Sequence, residues 1–179
     1  MTSLTNKILR IDKALSLAGI DHAFGGALAL AWCTERARGT IDIDVNVFVD
    51  VTRSADVADS LSPPVTCTEA DLALLERDGQ ARLWWDNTPI DVFLNTTEFH
   101  AQVGERVRFE QFGGMTIPFL SCSDLAVFKA FFNRTKDWAD LEEMVAIGSL
   151  DVDRVLGVLV RHLGFADERV ARLRSIASA

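Results

Sequence analysis

No stretch of this sequence stays apolar for the ~18 residues that a membrane span needs; charge interrupts every hydrophobic run first. Repeats, low-complexity tracts and obvious linkers are also missing. The 179 residues therefore read as one domain, or as a domain with a small helical appendage. Positive charge is in short supply: 18 Lys and Arg stand against 26 Asp and Glu, a formal net charge of −8. That excludes a protein coated in basic charge for sequence-independent nucleic-acid binding, but not one that segregates its charge and takes RNA as a substrate. Cysteine is scarce. Cys33, Cys67 and Cys122 are odd in number, far apart in sequence, and form no CxxC or Cys/His pair with zinc-ligand spacing. Reduced thiols in a cytoplasmic protein are the expectation.

What is present suits a packed core: 49% of residues are hydrophobic and 25% charged. The opening "MTSLTNKILRIDKALSLAG" carries Asn6, Lys7, Arg10, Asp12 and Lys13 at helical spacing, so it reads as an amphipathic helix over 3–18 rather than a signal peptide. "DHAF" reads as a short strand running into Gly25, and 26–36 as a helix. "DIDVNVFVD" alternates as a strand, with Ile41, Ile43, Val45, Val47 and Val49 on one face and Asp42, Asp44, Asn46 and Phe48 on the other. A helix is expected around 53–61, ending at "SPP", and another from the capping-box spacing "TEAD" to Gly79. "QARLWWDNTPIDVFLN" and "RVRFEQFGGMTIPF" read as hairpins, the second turning at Gly113-Gly114. From "SCSD" onward the pattern is helical: one helix to about Asn133, one in "DWADLEEMVAIG" and two more in 151–178. The expected architecture is a mixed α/β (α+β) core over 1–120 with a C-terminal helical region, 121–179, packed on it as one unit and walling a cleft. Arg161, His162, Arg169, Arg172 and Arg174 in that region read as a solvated basic helix face.

Several residues could carry chemistry. Asp42 and Asp44, at i and i+2 of a strand, share a face and can grip one cation, though such pairs also sit harmlessly on solvated strands. Gly25 and Gly26 lie between strand and helix, where bare backbone N–H groups can receive phosphate, or where a tight turn simply needs glycine. Asp91 is the lone charge in "TPIDVFLN", opposite the face of Ile90, Val92 and Leu94. If its strand neighbours that of Asp42 and Asp44, three like charges converge, and two Mg²⁺ ions are their natural occupants. Lys129 sits among Leu125, Phe128, Phe131 and Phe132; it either snorkels to solvent or reaches an anionic ligand. Arg134, Lys136, Asp137 and Asp140 follow, in positions that suit capping and helix–helix ion pairs.

These pieces resemble the nucleotidyltransferase fold of the polymerase-beta-like superfamily: a glycine pair at a helix start (Gly25-Gly26), a Dx[DE] strand (Asp42-Ile43-Asp44) and a third acid on a later strand (Asp91). In finer detail, "GGALALAWCTERARGTIDIDV", with Arg38 and Thr40 in place, and "SCSDLAVFKAFFNRTKDWADLEEM" are similar to motifs of the AbiEii/MenT-type toxins of bacterial toxin–antitoxin systems. The resemblance covers roughly residues 20–145. It implies a nucleotidyltransferase-like mixed sheet flanked by helices. It further implies an NTP, ATP among the candidates, with its triphosphate at Gly25-Gly26, and Mg²⁺ on Asp42, Asp44 and Asp91. In that scheme Asp91 helps to activate the acceptor hydroxyl. Lys129 neutralises phosphate with help from Arg38 or Lys136, and Asp137 orients Lys129 or the base. Thr40, two residues before Asp42, is a place where phosphorylation or nucleotidylation would repel the triphosphate, or else a strand-start threonine with a local hydrogen bond. The implied activity is transfer of an NMP to tRNA 3′ ends by a toxin with a cognate antitoxin partner. The alternatives are transfer to a protein, as by an AMPylating antitoxin, transfer to an aminoglycoside-like small molecule, or a non-enzymatic binding role, against which the intact acid set argues.

Overall fold

Short polar side chains set the helix boundaries. Ser3 caps α1 (Leu4–Leu17) by accepting the Asn6 N–H. Thr68 and Asp71 form a reciprocal capping box at the start of α4 (Glu69–Asp78), which ends at Gly79 in the left-handed conformation. Between them lie β1 (His22–Phe24), α2 (Gly26–Thr34), β2 (Ile43–Asp50) and α3 (Ser54–Leu61). After α4 come β3 (Gln80–Trp85), β4 (Thr88–Asn95), α5 (Glu98–Val103), β5 (Arg108–Phe112) and β6 (Met115–Phe119). The chain closes with α6 (Cys122–Phe132), α7 (Thr135–Ile147), α8 (Val152–Leu163) and α9 (Glu168–Ala177). This computed structural model describes residues 2–178, and among them no helix is long and apolar enough to cross a membrane.

The described residues form two units. The first comprises those up to Leu28 together with Gly39–Leu120; the second joins Ala29–Arg38 to the residues from Ser121 onward. The first holds a six-stranded sheet in the order β3-β4-β2-β1-β6-β5. Pairs β2/β4 and β1/β6 are parallel and the others antiparallel. Ile43, Val45 and Val47 of β2 and Ile90, Val92 and Leu94 of β4 are buried, as are Ile8, Ile11 and Leu15 of α1. Each such side chain contributes about 1.5–3 kcal/mol when fully buried. Lys7, buried in the same helix, donates hydrogen bonds to the Trp85 carbonyl (2.7 Å), Thr88 Oγ1 (3.0 Å) and Asp86 Oδ2 (3.2 Å). It thereby ties α1 to the two-residue turn between β3 and β4.

Two expectations for this unit are revised. The β2 ladder starts at Ile43, so Ile41 is 75% exposed rather than on the core face and Asp42 precedes the strand. Helix α5, which no local pattern announced, is capped by Thr97 and buries Phe99, His100 and Val103. The His100 ring meets Phe48 of β2 edge-on, centroids 6.0 Å apart.

In the second unit Trp138, Leu141, Met144, Val155, Leu159, Val170 and Leu173 are buried among α7, α8 and α9. Trp138 Nε1 donates to Asn133 Oδ1 at 2.7 Å, and Asn133 closes α6 in the left-handed conformation. The expectation of reduced, separated cysteines fails for two of the three. Cys33 and Cys122 form a disulfide, their Cα atoms 5.5 Å apart despite 89 residues of separation; Cys67 is free. Of the basic residues near the C-terminus, Arg161, His162 and Arg172 are exposed and Arg169 and Arg174 partly so, and several of them make local contacts. Arg169 pairs with Asp167, Arg172 lies 4.6 Å over the Trp138 ring, and Arg174 lies 4.1 Å over Phe165.

Burial pushes the His100 imidazole from 6.5 down to about 4. Between those values the unfolded chain binds a proton that the folded chain refuses, so stability falls as pH drops from about 6.5 toward 4. The expected loss is roughly 3 kcal/mol below that window. Urea unfolding of wild type and His100→Gln across pH 4–7 checks this, the variant losing that share of the slope.

Candidate active site

Strand register builds the site. In the parallel β2/β4 pair Asp44 is the partner of Asp91, and in the antiparallel β3/β4 pair Asp91 is the partner of Arg82. On the other side of β2 the Gly25 N–H donates to the Asp44 carbonyl at 2.9 Å, continuing the β1/β2 ladder past Phe24. Gly25, Asp44, Asp91 and Arg82 thus form one row across four chain segments. Alternation puts Ile43 and Val45, Ile90 and Val92, and Ala81 and Leu83 in the core, so the three charged side chains emerge together on the opposite face.

The glycines are there for space. Gly26 begins α2 at φ +53°, and a Cβ placed on it would collide with the Asp44 carboxylate. The helix start and Asp44 are therefore as close as a bare backbone permits. A Cβ on Gly25 would lie 3.0 Å from Asn46 Nδ2 and 3.1 Å from Leu120 Cδ1, tight but not blocked.

Arg82 is the cation of the row. Its Nε and Nη2 donate to the two oxygens of Asp91, each at 2.7 Å, a bidentate fork. Its Nη2 lies 3.8 Å from Asp42 Oδ2. The hydrogen bond and charge of Asp91, with Asp42 and Asp44 beyond, raise the Arg82 guanidinium well above its ordinary range. Asp42, its side chain 39% exposed, sits just ahead of the strand. Its backbone N–H and carbonyl each lie 3.2 Å from Thr40 Oγ1, a local turn.

The fit of a divalent cation has two sides. Among the described residues no three carboxylate, imidazole or thiolate groups are gathered tightly enough to cage a metal ion. The donor chemistry nonetheless suits one. Asp44 and Asp91 are register neighbours, Gly26 presents no side chain to the Asp44 carboxylate, and the row already holds a cationic group in Arg82. Hard carboxylate oxygens in this arrangement fit Mg²⁺.

Arg38, Lys129, Lys136 and Asp137 belong to the second unit, where Lys136 is exposed on α7. Lys129 is buried; its Nζ donates to Asp140 Oδ2 at 2.7 Å and lies 3.6 Å from Asp137 Oδ1. Asp140 also accepts from Arg38, which bridges to Glu143. Asp137 reaches back to Arg134 (Nε 2.6 Å) and closes the start of α7. Asp140 and Glu143 are the hubs here: the helix–helix ion pairing expected at Asp140 is present, whereas Glu143 carried no signal in the motifs. Arg82 was missed outright. Its signal was available: a two-residue turn at Asp86-Asn87 pairs Trp85 with Thr88 and, counting outward, Arg82 with Asp91.

No protein-family model matches the sequence, and no curated protein matches it. In structure it is similar to the antibiotic-resistance factor ANT(2'')-Ia over 96% of this chain and 89% of that one, with a TM-score of 0.54 at 14% identity. It is also similar to an antigenic nucleotidyltransferase-like protein from Paracoccidioides brasiliensis over 93% and 92%, with a TM-score of 0.50 at 14% identity. The fold is a mixed α/β arrangement of the nucleotidyltransferase-like kind.

Two variants test the packing of these clusters. Gly26→Ala meets both the left-handed φ and the Asp44 carboxylate and costs on the order of 2–3 kcal/mol, read as a drop in Tm. Asp140→Ala leaves the buried Lys129 ammonium without its nearest partner and costs about 3 kcal/mol in denaturant unfolding; a loss under 1 kcal/mol contradicts the burial described.

Proposed function

We propose that this chain is a nucleotidyltransferase that moves an NMP group from an NTP to an acceptor hydroxyl. One observation carries the reading: within a nucleotidyltransferase-like fold, Gly26 at a helix start abuts Asp44, and Asp44 stands beside Asp91 on one sheet face. The backbone N–H groups at the start of α2 receive the triphosphate, where the helix dipole favours negative charge. Asp42, Asp44 and Asp91 are the residues to hold Mg²⁺, which when bound supplies charge neutralisation at the phosphates. An Asp91 carboxylate oxygen takes the proton of the acceptor hydroxyl. The hydroxyl oxygen then bonds the α-phosphorus in line, the bond from that phosphorus to the α–β bridging oxygen breaks, and pyrophosphate leaves. A phosphoryl or nucleotidyl group on Thr40 adds negative charge beside Asp42 and repels the triphosphate.

For the acceptor, the motif resemblance to AbiEii/MenT-type toxins favours tRNA 3′ ends, with the chain as a toxin partnered by an antitoxin. A second reading, transfer to an aminoglycoside-like small molecule, is favoured by the likeness in fold to an antibiotic-resistance factor. The test is incubation of purified protein with Mg²⁺, each α-³²P-labelled NTP, and total tRNA, candidate proteins or aminoglycosides in parallel. Label transfer to tRNA that falls at least a hundredfold in Asp44→Asn supports the first reading. Transfer confined to a small molecule supports the second, and transfer to protein alone contradicts both. No transfer and no NTP binding overturns the enzyme assignment.

A further inference from the structure

Arg82 has no assigned part in that scheme, yet it is the most tightly engaged charge on the face. It sits on the edge strand β3, at the end of the sheet order, with alternate residues Gln80, Arg82 and Trp84 turned outward. Both oxygens of Asp91 are taken by its fork at 2.7 Å, and Asp42 is within 3.8 Å. One guanidinium thus faces three carboxylates, those of Asp91, Asp42 and Asp44. Binding a divalent cation at Asp91 while the fork stays in place would press two cations onto the same oxygens. The guanidinium cannot relieve this by losing its proton, because arginine stays charged throughout the physiological range. It can relieve it only by moving to another anion. Its side chain is 51% exposed on an edge strand, so the guanidinium can swing to another anion without crossing the core. The anion that a guanidinium fork matches as well as a carboxylate is a phosphate.

We infer that Arg82 is a phosphate-binding residue held in reserve by Asp91: without substrate its fork occupies the third carboxylate, and on arrival of a metal–nucleotide it transfers to the polyphosphate and yields Asp91 to the metal. The exchange conserves ion pairs, so neither the carboxylate nor the guanidinium is left bare. It makes the acidic row a poor site for a free divalent cation and a good one for a cation that arrives with a polyphosphate. The inference rests on the proposed function.

The experiment titrates Mn²⁺ into the whole chain, reading free Mn²⁺ by electron paramagnetic resonance, alone and with the non-hydrolysable α,β-methylene ATP. Wild type binds Mn²⁺ alone weakly and gains affinity when the analogue is present. Arg82→Gln binds Mn²⁺ alone roughly five- to tenfold tighter, from the loss of one competing ion pair. The same variant binds the Mn²⁺–analogue complex more weakly than wild type, and Arg82→Lys falls between. Circular dichroism and Tm confirm that both variants are folded; Asp91→Asn, which removes one of the proposed ligands, shows that the counted Mn²⁺ is bound at the row. Equal Mn²⁺ affinity in wild type and Arg82→Gln, lost in Asp91→Asn, overturns the role of Arg82 while leaving the metal reading intact. So does unchanged binding of the complex. Absence of Mn²⁺ binding from all the proteins overturns both.

Discussion

Two carboxylates held side by side on parallel strands repel each other, and the outer face of this sheet is organised around that repulsion. Asp44 and Asp91 are brought together by hydrophobic burial on the opposite face: Ile43, Val45, Ile90 and Val92 are fully buried, and β2 and β4 cannot slip by one residue without exposing all of them. The core therefore holds the acids in place against their own charge. Every neighbour then makes sense as a response. Arg82 answers one carboxylate with a fork, and Gly26 keeps its backbone bare where a side chain would strike the other.

The second charged cluster solves a different problem. Lys129, Asp137 and Asp140 are buried in the helical unit, where an unmatched charge is expensive, and each has a close ionic partner there. Arg38 and Glu143 extend the same network toward solvent. The acidic row on the sheet is half-exposed; the helical cluster is buried and locally matched. A group that is to exchange partners belongs in the first setting, and a group that fixes helices to one another is at home in the second.

The sequence made local features legible and left remote ones dark. The cap at Thr68, the helix start at "SCSD", the alternation in β2 and β4, and both hairpin turns were readable because each pattern lies within a few residues. The Arg82–Asp91 pair was also within reach by counting outward from the Asp86-Asn87 turn. The adjacency of Asp44 and Asp91 was not, since parallel strands need a long crossover and carry no local register signal; it entered only as a condition. Helix α5 escaped because six residues are too short for a periodic pattern, and His100 reads as polar although the fold buries it. The Cys33–Cys122 bond escaped for the same reason as the parallel pair: its two ends share no stretch of sequence.

That bond has a topological consequence. The helical unit is discontinuous in sequence, made of Ala29–Arg38 and the residues from Ser121 onward, and the disulfide joins its two pieces. Residues 33 to 122 are thereby a closed ring. All three aspartates of the row and Arg82 lie inside that ring, whereas Gly25 and Gly26 lie on the tail that leads into it. Closing a ring of this size removes about 4–5 kcal/mol of freedom from the unfolded chain on the chain-entropy account. A single nick anywhere between the two cysteines would open the ring and still release no fragment, so the glycines and the acids would stay on one covalent molecule through damage that would divide an open chain.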